Sequence, residues 1–100
     1  MNDTVKVFLD ELDNRKVKIN FTLQTKWLSN NEVFLDYLDD CFGLDYLAAK
    51  KFDNEETTSI IIETEKGKAL TYLNTMKDTF INKDELRRML GICLLENRDN

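Results

Sequence analysis

Hydrophobic spacing changes several times along the chain, and each change marks a predicted element. Val5, Phe8, Leu9 and Leu12 recur at i, i+3, i+4 and i+7 and predict an amphipathic helix over residues 4–13, with Asp3 as its cap. From Lys16 the period falls to two. Val17, Ile19, Phe21 and Leu23 alternate with Lys16, Lys18, Asn20 and Thr22, as in a strand with one buried face, although Phe21 to Leu28 can equally supply a short helix. Val33, Phe34, Tyr37, Leu38 and Cys41 return to helical spacing behind Ser29 or Asn30 as cap, and Gly43 followed by Leu44 reads as a left-handed stop with its hydrophobic contact. Leu47 to Phe52 and Thr57 to Glu63 predict a hairpin turning over residues 53–56. Its second strand carries the β-branched run Ile60, Ile61, Ile62. At Thr64, whose hydroxyl offers an N-cap, the spacing becomes helical again through Ala69, Leu70, Leu73 and Met76. Asn82 and Glu85 form a capping-box variant that opens a last helix with Leu86, Met89, Leu90, Cys93 and Leu94 on one face.

One hundred residues with no Pro, three Gly and no low-complexity run predict a single domain ordered almost end to end. The chain has no His, which removes the usual general base and the commonest metal ligand. Cys41 and Cys93 are too isolated for zinc and read as free, apolar-face thiols. Asp36, Asp39, Asp40 and Asp45 lack the spacing of a calcium loop, and neither a glycine-rich phosphate loop nor a nucleophile elbow occurs. These absences predict binding rather than catalysis, with no metal and no cofactor. No apolar run approaches the roughly 18 residues of a membrane span and the N-terminus lacks a leader pattern, so the expectation is a soluble, cytoplasmic protein with no membrane partner.

Charge sharpens this picture because it is unevenly placed. The net charge is −5, and residues 29–47 carry Glu32, Asp36, Asp39, Asp40 and Asp45 without one base. On a helix, Glu32, Asp36 and Asp39 fall opposite the apolar stripe at i, i+4 and i+7.

The opening Leu28-Ser29, the pair Tyr37-Leu38, the stop Gly43-Leu44 and the run from Thr64 to Leu70 resemble, in that order, the recognition helix and wing of winged-helix transcription regulators of the MarR and PadR type and their archaeal relatives. The resemblance covers Leu28 to about Leu73. It implies a mainly α fold with a small β-hairpin, a winged helix-turn-helix with an additional C-terminal helix: residues 1–28 for helices 1 and 2, 29–43 for the recognition helix, 47–63 for the wing and 65–96 for C-terminal helices. It further implies a transcription regulator that binds double-stranded DNA through Lys26, Ser29, Asn30, Asn31, Lys50, Lys51, Lys66 and Lys68. A homodimer would be closed by Leu86, Met89, Leu90, Cys93 and Leu94. Two alternatives stand beside it. The acidic face Glu32, Asp36, Asp39, Asp40 suits a protein partner, as in an adaptor or an inhibitor carried by a virus or mobile element. And if Lys16 to Leu23 is a full strand pairing with Ser59 to Glu63, the domain is a small α+β sheet with no helix-turn-helix.

Overall fold

The computed structural model describes residues 5–77 and 80–98, with the side chains of residues 83 and 92–98 left outside the description. Two β-hairpins frame the chain. The first joins β1 (Lys6–Glu11) to β2 (Lys16–Gln24) and the second joins β3 (Lys50–Asp53) to β4 (Thr57–Glu65). Between them run α1 (Thr25–Asn30), α2 (Val33–Phe42) and the single turn α3 (Leu44–Leu47); α4 (Lys66–Thr75) and α5 (Lys83–Arg98) follow. The hairpins join into one antiparallel sheet of order β1-β2-β4-β3, in which Ile19 faces Ile62 and Phe21 faces Ile60.

This corrects the expected fold class. The domain is α+β around a four-stranded antiparallel sheet, in place of a mainly α winged helix with a small hairpin. The pairing of Lys18 with Glu63 through Thr22 with Ser59 is the sheet alternative raised from the sequence. The helix expected over residues 4–13 is strand β1. Val5, Phe8, Leu9 and Leu12 fit a helical stripe, but Val5, Val7 and Leu9 also fit period two, and pairing with β2 decides for the strand. Phe21 to Leu28 supplies no second helix of a helix-turn-helix, because β2 continues to Gln24 and α1 has only six residues.

Both turns have a side-chain cause. The Asp13 carboxylate accepts the N–H groups of Arg15 (2.7 Å) and Lys16 (2.8 Å), and these bonds hold its carboxyl below the usual aspartate range. Asn54 Oδ1 accepts those of Glu56 and Thr57 in the same way.

Strand alternation puts most of the apolar weight on one face. Val17, Ile19, Phe21 and Leu23 of β2 and Ile60 and Ile62 of β4 are buried beneath the helices, with Thr58 and Thr64 continuing the row. Leu28, Phe34, Leu38, Phe42, Ala69, Leu73, Met76, Leu86 and Leu90 complete the core from the helical side. The other face, bearing Lys18, Asn20, Thr22, Ser59, Ile61 and Glu63, is partly or fully exposed.

Candidate functional site

The helix α2 carries the acidic residues and is held through its buried inner side chains, against α3 and α4. Phe34, Leu38, Cys41 and Phe42 recur on its inner side and are buried. Phe34 sits inside a ring cluster with Trp27 (5.7 Å between centroids), Phe80 (5.4 Å), Phe21 and Tyr37, while Phe42 packs on Phe21 and Tyr72. The Tyr37 hydroxyl accepts the Lys77 N–H (2.7 Å) and donates to the Lys77 carbonyl (2.9 Å), tying α2 to the segment after α4. Burial pushes the Cys41 thiol up, which keeps it protonated and unreactive. Cys93 lies outside the described side chains.

The anchoring fixes what faces outward. Glu32, Asp36, Asp39 and Asp40 are all exposed, and none forms an ion pair among the described residues, whereas Asp10, Glu11, Asp53, Asp84 and Glu85 each have a Lys or Arg partner. Beside them the same segment exposes three large aliphatic side chains: Val33 at 59%, Leu44 at 82% and Leu47 at 71%. Tyr46 of α3 links the two groups. Burial raises its hydroxyl pKa, and the charges of Asp39 and Asp36 raise it further, so α3 lies alongside the acidic helix. Gly43 makes the joint between α2 and α3. Its φ of 55° and ψ of −127° suit glycine, and its N–H closes α2 on the Asp39 carbonyl at 2.8 Å. The expected apolar contact of Leu44 with the helix end is absent, since Leu44 points into solvent.

The residues expected to touch DNA are placed differently. Ser29 Oγ, Asn30 Nδ2 and Asn31 Nδ2 each donate to the carbonyl four residues back (Thr25, Lys26 and Trp27), so they finish α1 instead of opening a recognition helix. The cap of α2 is Glu32, without a side-chain bond. Lys26 is exposed on α1, and Lys51 lies 3.8 Å from Asp53. Lys66 is buried at 5% exposure with its ammonium 2.7 Å from Glu11, out of reach of any phosphate. Lys50 and Lys68 do converge, with Lys16, on a depression of about 260 Å³, but Asp45, Glu63 and Glu65 line it too and cancel the charge. Of the dimerisation set, Leu86 and Leu90 are buried in the core of their own chain, Met89 is half-buried against it, and Cys93 and Leu94 lie outside the described side chains.

Two features escaped sequence reasoning. Thr64 does not cap α4; its hydroxyl (3.0 Å) and that of Tyr72 (2.5 Å) both donate to Asp45 Oδ2, binding α3, β4 and α4 at one point. The hydrogen bond to Asp45 is the main cause that raises the Tyr72 pKa. The exposure of Leu44 and Leu47 was hidden because Leu44 reads as the apolar contact of the Gly43 stop and Leu47 as the start of a strand, whereas both lie on the single turn α3 and the strand begins only at Lys50. Among the described residues no group of His, Cys, Asp or Glu is placed to hold a metal, and no helix is long and apolar enough to cross a membrane. Comparison with protein-family models, with curated proteins and with solved structures finds no match.

Proposed function

We propose that this chain is a non-catalytic protein-interaction module whose partner presents a basic, amphipathic segment to the α2–α3 surface. The observation that carries the reading is the coincidence on residues 32–47 of four exposed carboxylates, without an ion pair among the described residues, with the exposed Val33, Leu44 and Leu47. Apolar groups beside a single-sign field are what a protein interface uses: the charge steers and orients, and the buried aliphatics supply affinity. A nucleic-acid backbone would be repelled by the same field. Operator binding, the function implied by the winged-helix resemblance, would need cationic clamps elsewhere, and Lys66 is already engaged by Glu11.

The test uses a synthetic amphipathic peptide of alternating Leu and Lys/Arg turns as probe, with calorimetry at low and moderate salt. Neutralising Glu32, Asp36, Asp39 and Asp40 to Gln and Asn should weaken binding about tenfold or more, and Leu44→Ser with Leu47→Ser should do likewise. Neutralising Glu55, Glu56, Glu63 and Glu65 removes the same charge from other places and should matter little. Equal losses from both acidic sets would mean that net charge alone attracts the peptide, and the reading would fail. Duplex DNA binding that is lost on changing Lys50, Lys51 and Lys68 to Glu would favour the operator-binding alternative.

A further inference from the structure

Among the described residues, no strand pairs with the outer edge of β1. Natural sheets blunt their edges with short strands, charges, bulges or a covering element. Strand β3 at the opposite edge obeys this, with four residues, Lys50 to Asp53, three of them charged. Strand β1 also carries three charges, Lys6, Asp10 and Glu11, but it is longer, with six residues in unbroken register with β2, and between the charges Val7 and Leu9 are only partly covered while Phe8 is 52% exposed.

The direction of its free backbone groups follows from the hairpin. The Leu12 N–H donates to the directly opposite Lys16 carbonyl at 3.0 Å, so the even-numbered residues of β1 bond to β2. The odd-numbered Val7 and Leu9 therefore direct their N–H and C=O groups outward, where no described strand takes them.

We infer that β1 pairs antiparallel with β1 of a second copy about a two-fold axis at Phe8, making a continuous eight-stranded sheet. In that register Val7 and Leu9 of each copy form the hydrogen-bonded pairs through the groups they now leave free. Phe8 meets its own mate in a close, non-hydrogen-bonded pair, and Lys6 stands opposite Asp10 of the other copy on both sides. Charge complementarity selects this register. Moving the axis to Val7 or Leu9 sets Phe8 against Lys6 or Asp10, and a shift by one residue would turn one sheet's core face to solvent. Helix α5, which packs on β1, would then lie near its counterpart across the axis.

The test measures mass by sedimentation equilibrium from about 1 to 500 μM. Unmodified protein should shift from 11.8 kDa towards twice that value. Lys6→Asp alone and Asp10→Lys alone each place like charges opposite one another across the axis and should weaken the dimer about tenfold; because Asp10→Lys also faces Lys18 of its own chain, the deciding result is that the double exchange restores the dimer. Both positions are exposed, and circular dichroism confirms that each variant is folded. A second measurement is independent of charge: Phe8→Cys should cross-link under mild oxidation, and Phe52→Cys on the far edge should not. A chain that stays monomeric throughout, or a dimer indifferent to the exchanges and without the cross-link at position 8, overturns the inference.

Discussion

Neutralising Glu11 should harm the fold more than removing the lysine it binds. The Lys66 side chain is 6% exposed and its ammonium lies 2.7 Å from a Glu11 carboxylate that keeps 31% of its own surface in water. Glu11→Gln leaves a buried cation without its counter-charge. Breaking a fully buried pair from one side costs roughly 3–5 kcal/mol, and the water that reaches Glu11 reduces the figure here to about 1–3 kcal/mol. Lys66→Met removes the buried charge itself, keeps the aliphatic stem packed, and also takes a cation from the first turn of α4, where the helix dipole disfavours it. Glu11 is then free to hydrate, so this variant should lie within about 1 kcal/mol of the parent. Urea melts read the difference directly. By heat it amounts to roughly 4–8 °C in Tm for each kcal/mol in a chain of this size. The double variant should sit near Lys66→Met. If Lys66→Met proves as costly as Glu11→Gln or more so, the ion pair is a net source of stability and the reasoning is refuted.

Three other outcomes follow from the packing. Phe34→Ala empties the centre of the ring cluster at a fully buried position and should cost about 3–5 kcal/mol, a large part of the stability of a small domain, with the urea midpoint as readout. Tyr72→Phe should cost about 1 kcal/mol near neutrality. Because the folded hydroxyl titrates above its ordinary value of 10.0, that advantage is complete below pH 10 and is lost as pH rises through the higher folded value. Urea melts of parent and variant from pH 8 upward should therefore converge, and parallel curves would contradict the role given to Asp45. Asp39→Asn with Asp40→Asn removes two anions from the C-terminal half of α2 and should raise stability by a few tenths of a kcal/mol while weakening peptide binding. A fall in Tm would argue against an unpaired, repulsive acidic face.

What could be read beforehand was local. The alternation from Lys16 to Leu23, the β-branched run at Ile60 and the turn over residues 53–56 predicted strands that formed, and the charge map located the acidic helix. Strand β1 was misread because Val5 and Leu9 satisfy both periods, and only a partner strand separates them. Ser29 and Asn30 have the chemistry of caps for either neighbour, and Asn31 made the difference by ending α1 on the Leu28 carbonyl. The burial of Lys66 was invisible for the same reason that β1 was. Its counter-charge, Glu11, is 55 residues away, and a lysine at a predicted helix start reads as solvated until that pairing is known.

The central pairing of β2 with β4 also sets the order of events when the chain folds. Each hairpin closes over a handful of residues, but Gln24 and Thr57 must find one another across the whole helical segment between them. That closure spans more chain than either hairpin turn, so mutations at Ile19, Phe21, Ile60 or Ile62 should slow refolding more than those in the turns. While β2 and β4 are apart, the inner edges and the apolar residues that the native sheet buries are uncovered together. Misassociation between molecules will be worst in that interval, so the yield of native protein should fall with concentration during refolding.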